Sequence, residues 1–363
     1  MNWAFICKGL KPFDVTTIDN LPLGGTESAL IYLMKTLVKL NHKIFFLADY
    51  IHDNKIQNIQ QLNIRKLYKL KSYNIDVIVY VGVLTFIKII KEENPKKPII
   101  YWIPHAANQP SMTDLGKKET LNDIAGIVFL SNWQKKDFVN KFHLKEKKLS
   151  NIDYGISFEF QNMFKNFDDF KKSKDNNLGI YSSTPFRGLN VLLTSDNFIK
   201  KKNYSVDIFS SMATYREADD PYINLYNLIK KKKNFSLRGG VNKKILADNY
   251  KNKSFLFYPS TFAETFCSTT LDALAAGCDI ITTNFGCLKE TCMGYGTFLD
   301  IGANDTFEKF SEKYAIMIEN AIIKKEENTQ EWFKKQFNQY LEINKKHSWD
   351  IKVHEWIKFI SSI

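Results

Sequence analysis

Short apolar runs recur along the chain, separated by stretches in which apolar residues fall every three or four positions. Trp3–Ile6, Lys43–Ala48, Asp76–Val81, Pro98–Ile103 and Ile127–Leu130 are the runs of the first half. Between the first two, Ala29, Leu30, Leu33, Leu37 and Leu40 keep a helical spacing. A second alternation follows with Leu178–Ser182, Ser205–Phe209, Phe235–Leu237, Phe255–Tyr258, Asp279–Thr283 and Thr297–Leu299. Runs that are apolar throughout, rather than alternating, suit strands covered on both faces. Strands that alternate with helices predict parallel, doubly wound sheets. The expected fold is therefore α/β, with two Rossmann-like halves facing a central cleft. The expected boundaries are a first domain over residues 1–165 and a polar linker over 166–176. A second domain is expected over 177–335, and a terminal helix over 336–363 packing back on the first. From Glu331 onward the pattern is helical, with Trp349, Val353, Trp356, Ile357 and Ile360 as its apolar face.

Composition narrows the class. With 363 residues, 44% hydrophobic and 25% charged, the chain has the material for two full cores. Its longest nearly apolar run, Val77–Ile87, is too short to span a bilayer. The first residues lack the charged and apolar regions of a signal peptide, so a cytoplasmic location is expected. Five cysteines show neither metal-ligand spacing nor a disulfide framework. The net charge of +12 includes lysine runs at Lys117–Lys118, Lys145–Lys148, Lys171–Lys172, Lys200–Lys202 and Lys230–Lys233. No nucleic-acid motif accompanies them, so no nucleic-acid partner is expected. Weak peripheral association with an anionic membrane stays open.

Candidate chemistry concentrates between Tyr258 and Glu290. A strand ends at Pro259 and a loop carries Glu264. A helix then begins at Ser268, Thr269 and Thr270, with Asp272 in its early turns. A helix start following a strand presents backbone N–H groups to an anion. The two acids lie eight residues apart. One can grip a sugar diol and the other a ribose, which suits a nucleotide-sugar site.

These residues resemble a known family. GGTESALIYLMKTLVKLNHKIFFLA resembles the start of GT-B glycosyltransferases of the GT4 type (glycosyltransferase group 1). PSTFAETFCSTTLDALAAGCDIITTNFGCLKE resembles their donor-site signature of two acids, and YSSTPFRGLNVLL the opening of their C-terminal domain. The SNW after the fifth strand and Tyr154-Gly155-Ile156 are similar to further family stretches.

The resemblance implies roles. Glu264 would hold hydroxyls of the donor sugar, and Asp272 the ribose. Thr265, Phe266, Cys267 and Ser268 would bring backbone N–H groups to the diphosphate or sugar. Arg187 would neutralise it, and Gly24 and Gly25 would let the backbone approach it. His105 would stand near the reacting sugar carbon, and Glu290 would brace a loop or touch the nucleotide. Two positions depart from the family. Asp272 stands where Glu is usual, and Ser182 stands where many relatives carry a second basic residue. Arg238, before Gly239 and Gly240, is the candidate for that missing charge.

The implied activity is retaining transfer of a sugar from a UDP- or GDP-sugar to a glycan, lipid-linked or protein acceptor. The resemblance implies no metal and no cofactor beyond the donor, and no Asp-x-Asp motif ends a strand. Two other readings stay open. One is a non-catalytic nucleotide-sugar or glycan-binding protein. The other is a GT-B nucleotide-sugar epimerase.

Overall fold

The computed structural model describes every residue except 50–51, 145–147, 202, 301 and 303–304. Parts of the basic runs at Lys145–Lys148 and Lys200–Lys202 thus lie outside the described residues. The chain forms two compact units. The first comprises Met1–Thr17, Gly25–Gly155 and Trp349–Ile363. The second comprises Ile18–Gly24 and Ile156–Ser348.

In the first unit an eight-stranded sheet runs β3-β4-β2-β1-β5-β6-β7-β8. Its strands are β1 (Asn2–Lys8), β2 (Lys43–Ala48), β3 (Asn54–Ile56), β4 (Ile59–Asn63), β5 (Val77–Gly82), β6 (Ile99–Trp102), β7 (Gly126–Phe129) and β8 (Lys148–Asn151). All neighbours are parallel except β3, which pairs antiparallel with β4 at the edge. The central strands explain the continuous apolar runs: β1, with Trp3 to Cys7 buried, has β2 on one side and β5 on the other. Helix Gly25–Lys39 covers the sheet with Leu30, Leu33, Met34 and Leu37 buried. The terminal helix Trp349–Ser361 joins the same unit, where Trp356 meets Trp102 edge-on at 4.9 Å between ring centroids.

The second unit holds a six-stranded, wholly parallel sheet in the order β11-β10-β9-β12-β13-β14. Its strands are β9 (Leu178–Ser182), β10 (Ser205–Phe209), β11 (Phe235–Leu237), β12 (Phe255–Tyr258), β13 (Asp279–Thr283) and β14 (Thr297–Leu299). Order reverses between β9 and β12, the switch point where α/β sheets open a crevice.

The stretch expected as a linker is largely a helix, Phe167–Lys174, within this unit. Asn166 caps it through Asp169 N, and Phe170 is fully buried against Phe164 and Phe337. The burial of Phe170, rather than the polar composition of the stretch, decides its state. Helix Thr329–Lys346 also belongs to the second unit. The chain re-enters the first only at Trp349, so the change falls at the break after His347 rather than near residue 336.

Candidate functional site

The carboxyl ends of β9, β10, β12 and β13 carry the loops that gather the second unit's candidate residues. Arg187 follows β9 and Glu264 follows β12. They form an ion pair in which Arg187 Nη1 donates to Glu264 Oε1. The same oxygen accepts from Tyr258 Oη at 2.6 Å, and Arg187 Nη2 donates to Tyr215 Oη at 3.1 Å. Glu264 is 3% exposed, so this is a desolvated carboxylate with both of its hydrogen bonds on one oxygen. Burial opposes the charge on Arg187, but Glu264, Tyr258 and Tyr215 outweigh it and hold the guanidinium charged.

Two glycines make this arrangement possible. Gly188 has φ +93°, and a Cβ there would lie 1.9 Å from the Pro259 carbonyl oxygen. Only glycine lets the loop bearing Arg187 press against the end of β12. Gly286, at φ +66°, forms a parallel bridge with Glu264, whose N and O would each lie 2.5 Å from an added Cβ. Cys287 N then donates to Glu264 O at 2.9 Å. The Glu264 backbone is thus held against the 286–287 segment.

Thr265, Phe266 and Cys267 are buried where this loop enters helix Ser268–Ala275. Burial pushes the Cys267 thiol up to about 12, so it stays protonated. Thr269 Oγ1 donates to Ser182 O at 2.8 Å, tying the helix start to the end of β9. Ser182 Oγ shares a 2.5 Å hydrogen bond with Tyr250 Oη.

Asp272 is buried and its two oxygens already accept three bonds. Oδ1 accepts from Ser157 N at 3.0 Å, and Oδ2 from Ser157 Oγ at 2.9 Å and Lys243 Nζ at 2.8 Å. Arg238 donates through Nε to Asp207 Oδ1 at 2.8 Å while Lys253 binds the other oxygen of that carboxylate. The charge of Arg238 is therefore directed at Asp207. Glu290 is exposed in the short helix Leu288–Thr291. Gly24 is buried in the second unit.

The remaining candidates belong to the first unit. Gly25 opens helix Gly25–Lys39. His105 follows β6, and burial pushes its pKa down against a hydrogen bond to the Gln109 side chain that raises it. Gln134, fully buried, fixes that loop. Its Nε2 donates to Ile103 O at 3.0 Å and His105 O at 2.7 Å, and its Oε1 accepts from Leu130 N at 2.7 Å.

No protein-family profile matches this sequence, and no curated protein matches it. Solved structures do. A glycosyltransferase from Rickettsia africae aligns with a TM-score of 0.74 at 13% identity, covering 99% of this chain and 98% of that one. HepE from Anabaena, solved with UDP-glucose, aligns at 0.71 and 13%, covering all of both chains. The catalytic domain of starch synthase IV from Arabidopsis thaliana, bound to ADP and acarbose, aligns at 0.70 and 10%, covering 99% of each. The chain has the GT-B fold.

Within this GT-B fold, the structure adds residues that sequence alone did not single out: Tyr258, Tyr215, Ser157, Lys243 and Gln134. Tyr258 immediately precedes, and Gln134 immediately follows, a stretch quoted for the resemblance, so their position was the available signal. Ser157 lies 115 residues from Asp272 and Lys243 lies 29 residues from it, with no shared motif to join them. Among the described residues, no group of three or more His, Cys, Asp or Glu could hold a metal ion. No helix among them is long and apolar enough to cross a membrane.

Proposed function

We propose that this GT-B protein is a retaining glycosyltransferase. It moves a sugar from a UDP- or GDP-sugar to a glycan, lipid-linked or protein acceptor, without a metal ion or further cofactor. The observation that carries this reading is the pairing of buried Glu264 with half-buried Arg187 on neighbouring loops at the carboxyl edge of a parallel sheet. Arg187 exchanges Glu264 for the diphosphate, where its planar donors meet two oxygens at once. Glu264 keeps Tyr258 on Oε1 and offers Oε2 to a sugar hydroxyl. The C1–O bond to the diphosphate breaks as the acceptor oxygen bonds C1 from the same face. The acceptor proton passes to the departing diphosphate oxygen, and preorganised Arg187 stabilises the charge that develops there.

Asp272 reaches a ribose hydroxyl by giving up Lys243 or Ser157. Release of Lys243 adds an ammonium for the phosphates, a charge that neither Ser182 nor Asp207-bound Arg238 supplies. The proposed setting is cytoplasmic, with at most weak attraction of the basic surface to anionic membrane.

The test is release of nucleoside diphosphate from UDP- and GDP-sugars with and without EDTA, with NMR of the product. Transfer that survives EDTA and keeps the anomeric configuration supports the reading. Inverted product or loss of activity in EDTA contradicts it, and donor binding without turnover favours the binding-protein alternative.

A further inference from the structure

Three aromatic side chains converge beside the Arg187–Glu264 pair, each from a loop following a different strand. Phe186 follows β9, Tyr215 follows β10 and Phe262 follows β12. These strands are neighbours in the sheet order β10-β9-β12. The Phe186 and Tyr215 rings are nearly parallel, 22° apart with centroids 6.5 Å apart. Phe262 meets Phe186 edge-on at 67° and 6.1 Å. The Arg187 guanidinium lies 4.5 Å from the Phe262 centroid and 5.5 Å from that of Phe186.

None of the three belongs to the buried core. Phe186 is 37% exposed, and Tyr215 and Phe262 are half-buried. A single exposed aromatic is ordinary, but three on separate loops packed against one buried ion pair form a continuous surface. Its chemistry is specific. Ring faces carry negative quadrupole density that attracts C–H groups, while Glu264 and Arg187 at its border present an acceptor and a cation. A pyranose offers the complement: a face of C–H bonds and a rim of hydroxyls.

We propose that Phe186, Tyr215 and Phe262 form a stacking wall for the donor's sugar ring. This rests on the donor-site reading above and deepens it, making the apolar face of the transferred hexopyranose a determinant of specificity. The wall, joined to Glu264 through Arg187, reads the sugar rather than the base.

Calorimetric titration of the full chain with UDP, UDP-glucose, UDP-galactose, GDP and GDP-mannose tests this. The quantity read is the ratio of sugar-nucleotide affinity to parent-nucleotide affinity, in wild type, Phe186→Ala and Phe262→Leu. Phe186→Ala changes a partly exposed ring, and unchanged thermal unfolding confirms that it is folded. The expected result is a fall of that ratio by about 2–10-fold in both variants with parent-nucleotide affinity unchanged. An unchanged ratio in both overturns the wall while leaving the donor site intact. Loss of parent-nucleotide affinity with the ratio preserved overturns it in favour of base stacking. No binding of any nucleotide by wild type overturns the donor-site reading, and the wall with it.

Discussion

Arg187 and Tyr258 both donate to one oxygen of Glu264, so the candidate sugar-binding carboxylate is held by a cation and a phenol at once. Breaking a buried pair leaves a charge without compensation. Arg187→Ala is expected to destabilise the second unit by about 3–5 kcal/mol in urea unfolding. It is also expected to lower transfer by about 10²–10³-fold. Glu264→Gln keeps the shape and removes the charge. Its expected signature is retained affinity for the parent nucleotide with loss of the extra affinity from the sugar. Equal losses for both ligands would separate Glu264 from the sugar.

The saturation of Asp272 gives a second outcome. Lys243→Met removes one of three bonds to a buried carboxylate but leaves both from Ser157. The expected cost is about 1–3 kcal/mol, measured by chemical unfolding. Ser157→Ala keeps the backbone donor and removes only the hydroxyl, so it should cost less. A larger loss from Ser157→Ala than from Lys243→Met would contradict this ranking.

In the first unit, Gln134 bonds three backbone groups around the loop that carries His105. Gln134→Leu matches its size and orphans all three. The expected result is a loss of about 2–4 kcal/mol, with faster hydrogen exchange at Leu130. Lowered transfer should accompany it, and His105→Ala should lower transfer without that stability cost. Unchanged exchange at Leu130 would show that the loop is held by other contacts.

Lys325 sits almost wholly buried, with Nζ donating to Lys174 O at 2.9 Å and Ser254 Oγ at 3.0 Å. Burial lowers its pKa from 10.5 to about 8. At this lysine the unfolded chain thus binds more protons than the folded one between those values, so the contribution of Lys325 to stability rises with pH across that window. Burial lowers Lys174 as well, with the same sign. The expected gain for Lys325 is about 1–3 kcal/mol between pH 8 and 10 in urea unfolding. Lys325→Met should reduce that slope. A pH dependence in Lys325→Met identical to that of wild type would contradict the assignment.

Much of the fold was legible because most of its strands are short apolar runs. β2, β9, β10, β11, β12, β13 and β14 begin and end where the pattern placed them. β3, β4 and β8 were not legible. NKI and KLSN are polar because β3 and β8 are the two edge strands, where burial on both faces is not required, and IQQLN of β4, next to β3, mixes buried Ile59 and Leu62 with glutamines that break the apolar run. Helix Phe167–Lys174 was hidden for a related reason: Phe170 anchors it through contacts with Phe337, 167 residues away. At the site, sequence placed Arg187 and Glu264 on loops at strand ends but could not pair them across 77 residues. Nor could it show Asp272 already committed to Ser157 and Lys243, since that depends on packing rather than on spacing.

The central claim is that the second unit binds a nucleotide sugar through Arg187. A thermal-shift titration with UDP, GDP, ADP and their sugar conjugates, on wild type and Arg187→Ala, tests it most directly. A ligand that binds only the folded state raises the melting temperature by mass action. The account predicts a rise for wild type with UDP or GDP, a larger rise with the matching sugar conjugate, and little of either in Arg187→Ala. A wild type that shifts with none of these ligands, or an Arg187→Ala that shifts as far as wild type, would contradict it.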